Sequence, residues 1–472
     1  MNFKAILYYL SLFCFPVSFL AFINILYSSY FDYFLNVDSY STTLISSFLV
    51  GLILFFFGKN SSKRINFFEQ IILIVLIYLL ISAFVSIPYY LSIYQIPLIN
   101  ALFEGFSGVT GTGFSIFDNI KYIDPTLIIW RSSSQWIGGL YFLIILIVIF
   151  SNKQFNYKLN YLTYSGDGGV NSKSNIKKII LNIFLLYVLL SFIIFFILSI
   201  FEVRLFNALN LTMTLISSGG FLPTNSLSQI IKTTSQEFCL IIAFLISMLN
   251  FFFIFNLFKK RKIINEHKED FAIMSLFVFF VLILVIAVKD LSFIDASINI
   301  LSSLTNSGIF LNEPSKNISF YFLLLTIIGG SLISNTSGIK LIRIYILVKT
   351  TSSEILKLIR PNNVINQNIF NSNKKIDNEN TKNSFLIFIS FFLSLLILSV
   401  LLSLNAINFE NSFKISILTL TNTTNSELFG ISRIDFANLL TSSKITLIIF
   451  MIVGKIELIS FFLIIKKLFF KN

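Results

Sequence analysis

Histidine, cysteine and charge are what this sequence has least of. One histidine, His267, and two cysteines, Cys14 and Cys239, occur in 472 residues, and charged residues make up 12%. Soluble globular chains carry about a quarter. Both cysteines sit inside apolar runs far apart, so neither a disulfide framework nor a metal cluster can be built from them. With one histidine, zinc, di-iron and histidine-based catalysis lose their usual ligand or base. No paired-acid motif, no nucleophile elbow and no segment long enough for a catalytic domain is present, so the chain is not expected to be an enzyme.

What fills the space is hydrophobicity, 56% of residues with a mean hydropathy of +0.85. Such figures exclude disorder. Apolar runs of about 20 residues, the length that crosses a bilayer, occur at 5–28, 42–58, 69–91, 126–150, 178–201, 238–258, 271–289, 318–348, 384–405 and 445–468. The expectation is an all-α integral membrane protein with ten spans and the lipid bilayer as its medium. The first run is too long for a signal peptide and lacks a small-residue cleavage site. An even number of spans places both termini on one side.

The formal charge is 35 − 22 = +13, and its distribution records topology. Basic residues gather in alternate loops: Lys59, Lys63 and Arg64, then Lys153 to Lys178, then Lys259 to Lys268, then Lys349 to Lys382, then Lys466 to Lys471. The positive-inside rule makes that side, and both termini, cytoplasmic. No basic stretch is interleaved with aromatics on a soluble domain, so nucleic acid is not an expected partner.

Four loops on the opposite side share one form. Each follows an apolar run of about 10–14 residues, too short to span, and breaks into small or hydroxylated residues. The first is Thr110-Gly111-Thr112-Gly113-Phe114, after Phe103 to Val109. The second is Ser217-Ser218-Gly219-Gly220-Phe221, the third Thr305-Asn306-Ser307-Gly308-Ile309, and the fourth Thr421-Asn422-Thr423-Thr424-Asn425. The chain thus divides into an N-terminal two-span extension at 1–60 and four span–short helix–loop–span repeats at 69–150, 178–258, 271–349 and 384–472, with an asparagine-rich cytoplasmic linker at 350–383. Non-helical backbone at membrane depth is tolerated where it lines a water-filled cavity. Four such loops around a central pore can aim carbonyl oxygens inward and replace the hydration shell of a monovalent cation. The negative ends of the short helices would favour that cation.

At these residues the chain resembles the TrkH/KtrB/HKT superfamily of potassium-uptake proteins, TrkH most of all. Phe103 to Phe114 is similar to the family's first pore helix and filter. Trp130-Arg131 and Gln135 to Gly139, Ile328-Gly329-Gly330, Ser337 to Arg343, Glu354 to Pro361 and Gly454 to Glu457 continue the resemblance. It implies a channel-like potassium-uptake subunit of the bacterial inner membrane, a homodimer gated by a cytosolic nucleotide-binding ring of the TrkA type. Potassium would be the transported ion, with no organic cofactor. The ion ligands would be backbone carbonyls of Gly111-Thr112-Gly113, Ser217-Ser218-Gly219, Asn306-Ser307-Gly308 and Asn422-Thr423-Thr424. The stretch holding Gly329, Gly330 and Gly338 resembles the intramembrane loop that closes the pore below the filter. Lys455 stands at a position where the family commonly has an arginine opposing free cation flow.

Two positions depart from the family pattern. The fourth loop has no glycine, leaving Asn422 or Asn425 to supply a left-handed residue, and Ile309 replaces an aromatic or small residue. Both bear on selectivity, and a sodium- or proton-coupled symporter with relaxed potassium preference is the alternative function. Symport would call for embedded carboxylates, of which the sequence offers little sign. Charges inside spans are functional hypotheses by default. Lys455 is expected to face the pore rather than pair with Glu457. Lys340 and Arg343 either join it or snorkel to the cytoplasmic face. Glu104 either attracts cations or braces the filter backbone.

Overall fold

The computed structural model describes residues 2–61, 65–150, 173–258, 267–288, 291–312, 318–360, 368–371, 375–405, 407–431 and 434–456. Two helices open the chain, α1 (Phe3–Tyr30) and α2 (Val37–Gly58). They form a hairpin so close that a Cβ at Gly58 would lie 2.5 Å from the Tyr8 nitrogen. The rest falls into consecutive long–short–long sets. The first holds α3 (Phe67–Tyr90), α4 (Leu98–Thr110) and α5 (Pro125–Phe150), and the second α6 (Lys173–Ile200), α7 (Leu205–Ile216), α8 (Thr234–Met248) and α9 (Phe251–Phe258). The third holds α10 (Lys268–Ala287), α11 (Phe293–Leu304), α12 (Ser319–Ile328) and α13 (Leu341–Ile359). The fourth holds α14 (Asn378–Leu404), α15 (Phe409–Leu420) and α16 (Thr441–Lys455).

Among the described residues seven helices are long and apolar enough to cross a membrane, and α8 with α9 would make an eighth. Their outward faces are apolar, as on α2 (Phe48, Leu49, Ile53, Phe56) and α14 (Leu393, Leu396, Ile397, Val400). Lipid tolerates such surface where water does not. Two expected spans differ in form. The run at 238–258 is bent by 110° between α8 and α9. There the Asn250 nitrogen donates to Asp270 Oδ1 at 2.8 Å, while the Asn250 side chain accepts from the Phe252 nitrogen and caps α9. The run at 318–348 is split by a loop from Gly329 to Lys340 between α12 and α13. The last expected span begins at Thr441, and its stretch from 457, including Glu457, lies outside the described residues, as does most of the basic loop at 153–178.

The sets close on one another. Helix α5 touches α7, α8 touches α11, α12 touches α15, and α16 returns to α4. Glycine permits the closest of these crossings. A Cβ at Gly138 of α5 would stand 2.8 Å from the Val109 carbonyl carbon, and one at Gly454 of α16 would stand 3.0 Å from that of Leu420. The α1–α2 hairpin packs outside this circle, against α3 and α5. Tyr40 bonds Thr126 at 3.0 Å and Asn36 bonds Asp124 at 2.9 Å, satisfying polar groups that lipid would leave unpaired.

Candidate functional site

The four short helices α4, α7, α11 and α15 all end at the centre of the circle, and the loops that follow share one backbone turn. After each helix one residue adopts a left-handed conformation: Gly111 (φ 77°), Ser218 (φ 55°), Asn306 (φ 62°) and Asn422 (φ 47°). Its nitrogen donates to the carbonyl three residues back, at 3.0 to 3.2 Å in all four loops. In three loops the next nitrogen reaches five residues back: Gly219 to Thr214, Ser307 to Ser302, Thr423 to Leu418. Asn422, not Asn425, therefore supplies the left-handed residue in the loop without glycine. Asparagine tolerates that region best among side-chain-bearing residues.

This shared turn fixes the alignment of the loops. Gly111, Ser218, Asn306 and Asn422 correspond, and Gly113, Gly220, Gly308 and Thr424 correspond two residues later. Gly220 rather than Gly219 is thus the second loop's counterpart of Gly113 and Gly308, and Ser217 corresponds to Thr110. Gly219 answers a different demand, since a Cβ there would lie 2.9 Å from Gln135 Nε2 of α5. Gln135 also accepts from the Phe221 nitrogen at 3.1 Å. The sequence offered two adjacent glycines, and only the helix end distinguishes them.

Hydrogen bonds join the first, fourth and third loops into a collar that the second completes by packing, a Cβ at Gly113 falling 3.2 Å from the Gly220 Cα. Asn422 Nδ2 donates to Thr112 Oγ1 at 2.9 Å, and Asn306 Nδ2 to Thr423 Oγ1 at 3.2 Å. Thr424 Oγ1 donates to the Thr112 carbonyl at 3.2 Å. Within loops, Thr110 pairs with Thr112 and Thr421 with Thr423, each at 2.8 Å, and Thr305 with Ser307 at 3.3 Å. Apart from half-buried Thr424, these residues are buried.

The Gly329–Lys340 loop docks directly under the collar. The Ser337 nitrogen donates to Asn306 Oδ1 at 3.0 Å, Ser337 Oγ to Asn422 Oδ1 at 3.3 Å, and Asn335 Nδ2 to the Ile216 carbonyl at 2.5 Å. Gly329 and Gly338 both have positive φ and face each other across the loop's neck, where a Cβ at Gly338 would lie 3.3 Å from the Gly329 nitrogen. Gly330 is packed against the α8–α9 bend, a Cβ there falling 2.7 Å from the Met248 carbonyl oxygen. The same bend exchanges backbone bonds with the loop, Ser331 to Met248 and Phe251 to Ile333. Glu269 of α10 accepts from the Leu332 nitrogen at 3.0 Å. Sequence reasoning missed Asn335 and Glu269, whose partners lie 119 and 63 residues away.

The charges divide by role. Lys340 does not snorkel: its ammonium is buried and donates to the Ser331 carbonyl (3.2 Å), Ser334 Oγ (3.2 Å) and both oxygens of Thr336, knotting the loop from within. Arg343 is buried one turn into α13 and bonds the Ile339 carbonyl at 3.4 Å. Lys455 points inward, 4% exposed, with Nζ 4.4 Å from the Phe142 ring, 3.4 Å from Ser337 Oγ and 3.5 Å from the Asn335 carbonyl. A Cβ at Gly111 would lie 3.7 Å from that ammonium. Lys340, Arg343 and Lys455 line a cavity of about 30 Å³ beneath the collar, room for about one water. Glu104 is a brace: fully buried, it accepts from Arg131 Nε at 2.8 Å and the Ile116 nitrogen at 2.9 Å, fastening α5 and the chain beyond the first loop. Among the described residues no group of three or more potential metal-binding His, Cys, Asp or Glu side chains occurs.

No family model matches the chain. It is 26% identical to an uncharacterized cation transporter of Methanocaldococcus jannaschii, over 91% of this chain and 90% of that one. It is 25% identical to the Trk system potassium uptake protein TrkG of Escherichia coli, over 91% of each. Identity to the Trk system potassium uptake protein TrkH of Escherichia coli is 21%, over 69% of this chain and 71% of that one. The crystal structure of the potassium transporter TrkH from Vibrio parahaemolyticus aligns with 100% of both chains at a TM-score of 0.87 and 19% identity. None of these relatives is named as an enzyme. The resemblance to the TrkH/KtrB superfamily is thereby borne out, and the fold of this chain is that of TrkH.

Proposed function

We propose that this chain carries potassium across the membrane along the axis of the collar. The observation that supports it most directly is the convergence of four helix C-termini on one ring of loops, the first, fourth and third joined by hydrogen bonds and the second packed between the first and the third. Each terminus brings a partial negative charge to the axis, and the loop carbonyls offer oxygen ligands in place of water. The ligands are then the carbonyls of residues 111–113, 306–308 and 422–424, with 218–220 the matching set in the second loop. Potassium uptake is what the names of TrkG and TrkH state of those relatives.

The Gly329–Lys340 loop closes the pathway from below, and Lys455, with Arg343 beside it, raises the electrostatic barrier for a cation that has passed the collar. The chain works as a homodimer in a bacterial inner membrane, with the basic loops and both termini cytoplasmic. A cytosolic nucleotide-binding ring of the TrkA type docks on that face. Reconstitution of the purified chain in liposomes with a potassium gradient tests the central point. Potassium flux above that of protein-free liposomes, with a bi-ionic potential favouring potassium over sodium, is the expected result. Flux absent in both the chain alone and its complex with the ring would overturn it.

A further inference from the structure

Loop neighbours around the axis follow from contacts. The first loop meets the fourth through Asn422 and Thr112, and the fourth meets the third through Asn306 and Thr423. A Cβ at Gly113 would lie 3.2 Å from the Gly220 Cα, and one at Gly220 would lie 2.6 Å from the Ser307 carbonyl oxygen, so the second loop adjoins both the first and the third. The helix contacts give the same circular order. The second and fourth loops therefore face each other across the axis.

Thr424 nevertheless reaches its opposite. A Cβ added to Gly220 would collide with the Thr424 side chain, as would one added to its neighbour Gly113. One added to Gly308 would lie 3.3 Å from the Thr424 Cβ. Three corners of this level are glycine and keep side chains out. The fourth sends a hydroxyl into the space they leave, and that hydroxyl donates to the Thr112 carbonyl at 3.2 Å. A carbonyl oxygen engaged by a hydroxyl is a poorer ligand for a cation than a free one.

We propose that the Thr424 side chain occludes the collar across its axis and competes with the passing ion for the Thr112 carbonyl. The inference rests on the transport reading and adds to it a rate-determining residue peculiar to this chain's fourth loop. A potassium ion must displace the hydroxyl, by rotation of the side chain between staggered positions, before it can use that oxygen. Thr424 then controls both the maximal flux and the potassium concentration that half-saturates it.

The test is potassium flux from liposomes containing the full-length chain, its Thr424→Gly, Thr424→Ser and Thr424→Val variants, compared at equal reconstituted amount and after gel filtration. The expected result is a flux at least about tenfold higher in T424G, with a lower half-saturating potassium concentration, and T424S within about twofold of the parent. T424V, which keeps the bulk without the hydroxyl, is expected to be no faster than the parent. Should T424G aggregate, Thr424→Ala supplies the same comparison. A T424G flux equal to or below the parent's, or a T424V flux as high as that of T424G, overturns the inference while leaving transport intact. Absence of potassium flux in the parent and in every variant overturns the transport reading and this inference with it.

Discussion

Single side chains at the collar carry tasks that separate cleanly by substitution. A unit charge about 8 Å from a passing cation raises its energy by roughly 2 kcal/mol at an effective dielectric constant near 20. Even about 1.4 kcal/mol is tenfold in rate. Lys455→Ala is therefore expected to raise potassium flux several-fold, and Lys455→Arg to keep it near the parent's. Unchanged flux in the alanine variant at equal membrane abundance would reduce Lys455 to a prop for Ser337. The glycine pair separates likewise. A methyl at Gly220 meets backbone, the Ser307 carbonyl oxygen, whereas one at Gly219 meets the terminal amide of Gln135, the far end of a flexible side chain. Gly220→Ala should lower flux far more than Gly219→Ala, and equal losses would sink the alignment of the loops drawn here. Glu104 and Arg131 form a buried pair, and removing one partner of such a pair costs about 3–5 kcal/mol. Arg131→Ala is expected to lower the thermal unfolding midpoint in detergent well beyond Glu104→Gln, which keeps an acceptor for the Ile116 nitrogen.

At the scale of elements, legibility followed the range of the cause. The loops after the four short helices were legible because a helix that stops short and turns through a left-handed residue needs glycine, asparagine or serine locally. The second loop's alignment slipped by one because two glycines follow Ser218, the left-handed residue, and their presence alone does not say which of them matches Gly113. Only Gln135, 84 residues before Gly219, assigns the first of them to packing. The bend at Asn250 was hidden for the same reason: an apolar run reads as one helix, and the carboxylate that takes the Asn250 nitrogen belongs to Asp270. Glu269 beside it holds the Gly329–Lys340 loop by one bond to the Leu332 nitrogen. Glu269→Ala removes that acceptor from a buried donor, a change of about 1–3 kcal/mol. It is expected to raise flux in the absence of any ring protein, with Glu269→Gln closer to the parent. Flux unaffected by alanine would assign the closing of the loop to its other bonds alone.

For the whole molecule, the circle of helix contacts encloses the collar within one chain, and the apolar faces of α2 and α14 turn outward to lipid. The proposed ring partner belongs to this scale. Copurification from native membranes is expected to bring down a nucleotide-binding partner, and a nucleotide-sensitive flux from the chain alone would count against it. One further property follows from Ser337, which bonds the asparagines of the third and fourth loops at once. Those asparagines also hold Thr112 and Thr423 in the collar. Collar and lower loop thus form one thermodynamic system, and linkage between them is reciprocal. If an ion in the collar tightens the asparagine bonds, a docked loop must in turn raise the collar's affinity for that ion by the same factor. Cargo then acts as its own effector: amide exchange in residues 329–340 should slow as potassium is raised, and a filled collar should open downward more reluctantly than an empty one.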